Sequence, residues 1–218
     1  HYDSLYTLGN NNYQDQQFED ALKSYNAIAE SGMLSSDLYY NMGNCYYKLN
    51  QITEAILYYE RALKMRPNGE DIKYNLSLAN KLIVDKIEIL PTPFYKNWWN
   101  TLVNSFSIDL WGFTSIGFIV LGMISLLLFL MTRSTGIKQI SFYLFLVFLI
   151  SAGVTYFFAR AQYQQNIKEQ HAIIFDTRTN IYSEPNTTGT VLFVVHNGLK
   201  VKIIKTSGQW LNIMLPDG

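Results

Sequence analysis

The 218-residue sequence has one cysteine, Cys45, and three histidines. A single thiol excludes an internal disulfide framework and a thiolate metal cage. Three scattered histidines argue against a histidine-built metal site, and no cofactor is expected. There is no excess of either charge: 17 Lys+Arg stand against 17 Asp+Glu, for a formal net charge of zero. That excludes a generally basic nucleic-acid binder, which needs surplus cations to displace phosphate counterions. Charge is scarce altogether, at 16% of residues, where soluble domains carry roughly 25%. The deficit is local, because only four charged residues fall in the stretch from Asn97 through Arg160. No grouping of acid, base and nucleophile points to an enzyme.

What is present changes along the chain. Residues 1–88 carry 8 basic and 12 acidic side chains, residues 89–170 carry 5 and 2, and residues 171–218 carry 4 and 3. Eleven of the 16 tyrosines precede residue 88. These shifts place boundaries near Pro91-Thr92-Pro93 and near His171. Within the first segment the sequence repeats with a period of 34: Gly9-Asn10 falls on Gly43-Asn44, Tyr13 on Tyr47, Ala21 on Ala55 and Tyr25 on Tyr59. A partial third copy aligns Asp3, Asp37 and Asp71, then Tyr6, Tyr40 and Tyr74, and Asn41 with Asn75. A period of 34 with small residues at fixed offsets is the signature of the tetratricopeptide (TPR) helix pair.

Packing explains the pattern. Gly9 and Gly43 sit where two helices cross closely, with Ala21 and Ala55 facing them from the second helix. Leu5, Leu8, Phe18, Tyr39, Met42 and Ile52 fill the space between. Asp3, Asp37 and Asp71 fall at helix starts, where a carboxylate meets the positive end of the dipole. Pro67 ends the fourth helix. The spacing predicts helices over 3–14, 18–31, 37–49, 53–66 and 70–88, the fifth without a partner helix. Two and a half repeats leave one end uncovered, because a solenoid's stability is a sum of neighbour interfaces. A partner, the membrane or further residues of the chain could cover it.

Residues 110–131 and 140–159 are two runs of 22 and 20 residues without charge. At about 1.5 Å per residue each helix spans roughly 30 Å, the thickness of a bilayer core. The eight-residue connection Thr132–Gln139 makes them an antiparallel hairpin with both soluble parts on one side. Before the first span, Phe94, Trp98, Leu102 and Phe106 recur every four residues with Trp99 and Val103 alongside. That apolar face suits a helix lying in the headgroup region, with membrane lipid against Phe94, Trp98, Trp99 and Phe106. The alternative is a helical linker packed on the repeats. Arg133 and Lys138 in the connection are balanced by Lys96, Arg160 and Lys168 on the other side, so the positive-inside rule does not decide orientation. The chain begins at His1 and not Met, which a removed secretion signal would explain, as would a tagged start.

Residues 172–175, 191–195, 199–204 and 210–215 are rich in β-branched and aromatic residues and separated by turn residues, which predicts a small β-barrel. The pattern Ile181-Tyr-Ser-Glu-Pro, then Asn197-Gly-Leu-Lys-Val201, then Gly208-Gln-Trp-Leu-Asn-Ile213 and Pro216-Asp-Gly218 resembles the bacterial SH3-like domain. The resemblance implies a barrel truncated at its C-terminus, since that family continues past Asp-Gly into a last Gly-Trp-containing strand. The expected organisation is a multidomain membrane protein. An all-α TPR solenoid occupies 1–88, and a linker with an interfacial amphipathic helix 89–109. A two-helix transmembrane hairpin follows at 110–159, with spans 110–131 and 140–159. A small all-β SH3-like domain occupies 171–218.

That order, with Gly43-Asn-Cys-Tyr-Tyr47, Ala55-Ile-Leu-Tyr-Tyr59 and the C-terminal pattern, resembles the BatE-type proteins of the Bacteroidota aerotolerance (Bat) operon. The resemblance implies a two-pass inner-membrane protein with its TPR and SH3-like domains in the periplasm. Its implied partners are von Willebrand factor A-domain Bat proteins, BatD and a second TPR Bat protein, and indirectly a MoxR-type AAA+ ATPase. The implied context is oxygen and stress tolerance. On this reading the chain is a non-enzymatic, membrane-anchored scaffold binding protein partners through its TPR groove. The alternative is a cell-wall protein that binds or senses peptidoglycan through its SH3-like domain.

The candidate groove follows from the repeat register. Tyr6, Tyr40 and Tyr74 form one row on the first helices, Asn10 and Asn44 a second, and Tyr13 and Tyr47 a third. Tyrosine offers rigid surface with a hydroxyl, and asparagine can hold a peptide backbone as donor and acceptor. Some TPR domains clamp a terminal carboxylate with such an asparagine, but they also need flanking cations, and here only Lys48 and Lys81 are near. The competing reading of these residues is packing within the repeats. Cys45 lies mid-helix with no histidine near it in sequence and reads as a buried small residue. In the spans, Gly112, Ser115, Gly117, Gly122 and Ser125 would allow close helix approach.

Overall fold

The computed structural model describes residues 2–87, 93–168 and 170–217, with the side chains of 165–168 outside that description. It separates into two compact units, His1–Pro91 with Glu169–Gly218, and Thr92–Lys168. Among the described residues there are eight helices and two small antiparallel sheets. The expected boundary at Pro91-Thr92 lies outside the described residues.

In the first unit, the repeats form α1 (Tyr2–Gln14), α2 (Phe18–Glu30), α3 (Ser36–Lys48), α4 (Ile52–Met65) and α5 (Glu70–Asn80). Acidic residues occupy the first turns of all five, and the Ser35 hydroxyl caps α3 by accepting from the Leu38 amide at 3.0 Å. Two turns repeat with the same period. Gln16 and Asn50 adopt positive φ of 61° and 59°. The Gln17 and Gln51 amides then reach back to the Asn12 and Tyr46 carbonyls at 2.8 and 2.9 Å. This is a left-handed helix end, which asparagine tolerates and glutamine adopts less readily.

The apolar stripes meet in two cores. Ala21, Leu22, Tyr25 and Ile28 of α2 pack with Leu38, Met42 and Cys45 of α3. Ala55, Ile56, Tyr59 and Ala62 of α4 pack with Ile72, Leu76 and Ala79 of α5. The close crossings expected at the glycines are present. A Cβ on Gly9 would lie 2.5 Å from the Tyr25 ring, and one on Gly43 would lie 2.6 Å from the Tyr59 ring.

The fifth helix is shorter than expected. It stops at Asn80, not near 88, and residues 81–87 run on without helix; residue 88 is outside the described residues. The physical reason is where the side chains go. Ile83 joins the second repeat core, Ile87 joins the core of the C-terminal strands, and Asp85 bonds His196. A β-branched run used in this way has no use for helical spacing.

The C-terminal strands are β1 (His171–Ile173), β2 (Thr179–Tyr182), β3 (Val191–Val195), β4 (Lys200–Ser207) and β5 (Trp210–Met214). They pair as β1-β4-β5 and β2-β3, all antiparallel. Val195, Leu199 and Val201 form the core, with Ile87, Ala172, Ile174, Ile181, Ile213 and Leu215 around it. The β4–β5 hairpin turns at Gly208, whose φ of +62° suits glycine. Strand β2 was not expected; its Thr-Asn-Ile-Tyr sequence lacks a clear alternation, and its partner β3 supplies the apolar residues.

These strands belong to the same unit as the repeats and rest on α4. Lys200 Nζ pairs with Glu60 Oε2 at 2.6 Å, and the Asn197 amide donates to Thr53 Oγ1 at 3.3 Å. Asp85 accepts from the His196 backbone amide at 2.6 Å and lies 2.8 Å from its Nδ1.

The second unit contains α6 (Phe94–Val103), α7 (Ile108–Met131) and α8 (Thr135–Lys168). Helices α7 and α8 are long and apolar enough to cross a membrane, and little of their apolar length is buried. The link between them is three residues, Thr132–Ser134, not the eight expected. Helix α8 starts early, its first turn closed by the Lys138 amide donating to the Ser134 carbonyl at 3.0 Å. The two helices meet through small residues. Ser115, Gly122 and Ser125 of α7 and Ser141, Ala152 and Thr155 of α8 are buried, and the Ser115 hydroxyl donates to the Ala152 carbonyl at 3.0 Å. Gly112 and Gly117 take no part, since a Cβ on either would meet nothing within 4 Å.

Candidate functional site

The repeats carry a polar ladder built twice from the same residues. In the lower rung, Tyr25 on α2 donates its hydroxyl to Asn10 Oδ1 at 2.7 Å. Asn41 on α3 donates its amide to the Tyr6 hydroxyl at 2.9 Å and lies 3.4 Å from Asn10 Oδ1. The upper rung is the same, 34 residues on. Tyr59 donates to Asn44 Oδ1 at 2.8 Å, and Asn75 donates to the Tyr40 hydroxyl at 3.0 Å and to Asn44 Oδ1 at 2.9 Å. Each rung ties a first helix both to its partner and to the first helix of the next repeat.

A groove of about 320 Å³ opens on the upper rung. Tyr13, Tyr40, Asn44 and Tyr47 line it, as the register places them, together with Lys48, Tyr59, Asn75 and Leu78. Tyr6 and Asn10 lie outside this lining, in the lower rung. Tyr74 also lies outside it and is 64% exposed. Of the two nearby cations, Lys48 lines the groove and Lys81 does not.

The ladder decides what the groove offers. Asn44 turns its oxygen inward, where two donors satisfy it, so the group it presents outward is its Nδ2 donor. Asn75 spends both amide hydrogens in the ladder and presents its oxygen. The Tyr40 hydroxyl, already an acceptor, has a donor to give. The lining therefore combines tyrosine surface with both donors and one acceptor, which fits an extended polypeptide backbone. Lys48 makes no ion pair among the described residues.

Burial sets the ionisation of this region. It holds the Tyr25 and Tyr59 hydroxyls well above the ordinary tyrosine range and pushes the Cys45 thiol up to about 12. Such a thiol is protonated and inert. Among the described residues no group of His, Cys, Asp and Glu could hold a metal ion.

The apolar helix before the spans is α6, and its aromatic residues divide between two environments. Phe94 and Trp98 are 85% and 66% exposed. Trp99 instead stands edge-on to Phe157 and Phe158 of α8, at 6.0 and 5.8 Å between ring centres. Phe106 is half exposed and stands edge-on to Trp111 at 5.0 Å. Trp111 donates its indole hydrogen to the Val103 carbonyl at 3.0 Å, and the buried Gln162 donates to Asn104 and to the Phe106 carbonyl. No sequence signal marks Trp111 or Gln162, since one lies inside an uncharged run and the other just beyond one.

Residues 36–68, spanning α3 and α4, match the family model of the tetratricopeptide repeat. A comparison with curated proteins found no match.

Proposed function

We propose that this chain is a membrane-anchored, non-enzymatic scaffold that holds a protein partner as an extended segment in the tyrosine-lined groove. The observation that carries the reading is the groove lining: rigid aromatic surface with backbone-matching donors and an acceptor, on a repeat of the kind that serves as a protein-interaction scaffold. Helices α7 and α8 support the anchoring, since helices so apolar and so little buried have no protein core around them. Phe94 and Trp98 on α6 are the residues that meet the headgroup region. Trp99 and Phe106, also expected there, would be shared between lipid and their aromatic neighbours. The domain order supports placement as the BatE-type subunit of an envelope Bat complex in the inner membrane, with the repeats and strands in the periplasm. Its partners there are the A-domain Bat proteins, BatD and a second TPR protein.

The test is co-purification. The tagged full-length protein, gently extracted from native membranes, is expected to bring down A-domain Bat proteins stoichiometrically. Tyr13→Ala with Tyr47→Ala should weaken the binding at least 30-fold, because a single hot-spot tyrosine at the centre of an interface is worth about 2 kcal/mol. These two side chains make no ladder hydrogen bond but pack against the two repeat cores, so an unchanged circular dichroism spectrum and thermal midpoint are read alongside the recovery. Undiminished recovery removes the groove from the proposal, and recovery of wall fragments alone points to the C-terminal strands.

Orientation has its own measurement. Ser134→Cys adds one reactive thiol to the connection between the spans, and the buried Cys45 contributes no background. A membrane-impermeant maleimide is expected to label it only after the inner membrane is opened. Labelling in intact spheroplasts would put the repeats in the cytoplasm.

A further inference from the structure

We infer that the C-terminal β-region is the terminal cap of the repeat array, standing where the second helix of the third repeat would lie. The chain's own residues explain why that helix is missing. Continuing the period from Tyr25 and Tyr59 leads to Pro93, and from Ala21 and Ala55 to Ile89. Proline cannot continue a helix interior. The first helix of the third repeat has changed to match. Gly9 and Gly43, each pressed against a tyrosine ring, become Ser77, which is exposed. Asn10 and Asn44, each accepting a tyrosine hydroxyl, become Leu78. The seat and its occupant are lost together.

What replaces the next repeat can be read position by position. Leu22 of the first repeat belongs to a core against which Tyr39 and Tyr58 of the second repeat pack. Ile56, the same position one repeat later, is fully buried, with Ile83 and Ile173 packed against its core. Asn26 lies beside the Tyr46 hydroxyl on the first helix of the next repeat. Glu60, its counterpart, pairs instead with Lys200 of β4 at 2.6 Å. The contact is tight at Gly198, where φ is +89° and a Cβ would lie 2.5 Å from Ile83 and 3.4 Å from Ile56. The β-region thus makes, on α4 and the chain after α5, the contacts that a further repeat makes elsewhere. It holds α5 in place, and with it Asn75 and Leu78 on the groove wall. This role does not depend on what the groove binds.

Hydrogen exchange on the full-length protein in detergent tests it. Gly198→Val should make the α5 amides exchange about tenfold faster or more while those of α1 and α2 hold, because a solenoid end opens locally when its neighbour interface is lost. Lys200→Glu should do the same to a smaller degree, and adding Glu60→Lys should restore the protection. The restoring pair separates loss of the contact from a misfolded strand region. Unaltered α5 exchange in Gly198→Val, whether or not the strands themselves loosen, would overturn the cap. So would acceleration in Lys200→Glu that the compensating charge does not reverse.

Discussion

Valine at Gly43 is expected to lower the thermal midpoint of the repeat unit by about 10 °C. The added Cβ has no room, since it would lie 2.6 and 2.7 Å from two carbons of the Tyr59 ring. That ring cannot move aside cheaply, because it is 1% exposed and its hydroxyl is held by Asn44 at 2.8 Å. Either α3 and α4 separate, or Tyr59 leaves its rung and Asn44 loses a donor. Overpacking of this kind costs about 3 kcal/mol, and a domain of this size loses a few degrees per kcal/mol. Circular dichroism of the detergent-solubilised protein reads the shift. Gly117→Val on α7 is the control, since nothing lies within 4 Å of its added Cβ; it should leave the midpoint where it is. Equal midpoints for Gly43→Val and the unaltered protein would mean that the crossing is not close.

The second large effect is alkaline. Cys45 is fully buried, and Tyr25 and Tyr59 are each 1% exposed. Burial raises the thiol from its ordinary 9.0 to about 12 and lifts both tyrosines above their ordinary 10.0. The folded protein keeps these protons while the unfolded chain gives them up. Stability from these groups is therefore whole below pH 9, falls as the unfolded thiol and then the unfolded tyrosines ionise, and is gone only above the folded values. Cys45 alone accounts for about 4 kcal/mol by pH 12, at about 1.4 kcal/mol per unit. Urea midpoints of the repeat unit should be level from pH 7 to 9 and then drop steeply. Cys45→Ala should remove the earliest part of the drop and leave the tyrosine part. A level midpoint through pH 11.5 would contradict the burial of all three groups.

The repeats were legible in the sequence because their contacts recur at a fixed spacing. Gly43 against Tyr59 leaves a mark that no other residue can make, and the first four helices lie within a residue or so of their expected ends. The groove lining was legible in part. Tyr13, Tyr40, Asn44 and Tyr47 followed from the register. That Asn44 faces inward did not, because the register shows Asn75 as a repeat of Asn41 without showing what either one bonds. Trp99 could not be told from Trp98, since an apolar stripe marks residues that leave water without saying whether lipid or α8 receives them. The seating of the strands on α4 left no sign at all. Glu60 and Lys200 are 140 residues apart, and a single pair at that separation has no period to betray it. The end of α5 was missed for the same reason, since Ile83 and Asp85 serve strands far along the chain.

The ladder also fixes where this array can grow. Asn41 and Asn75 each reach back to the repeat before, and Tyr40 with Asn44 receives from the repeat after. A duplicated 34-residue block inserted after residue 68 would find both kinds of neighbour waiting and would close every bond of a new rung. The same block added after Asn80 would meet Leu78 where it needs an asparagine and would compete with the strands for Ile56. Lengthening is an internal event in this architecture. The last half-repeat and its strands travel outward as one terminus, and each inserted block would lengthen the groove while leaving its end wall unchanged.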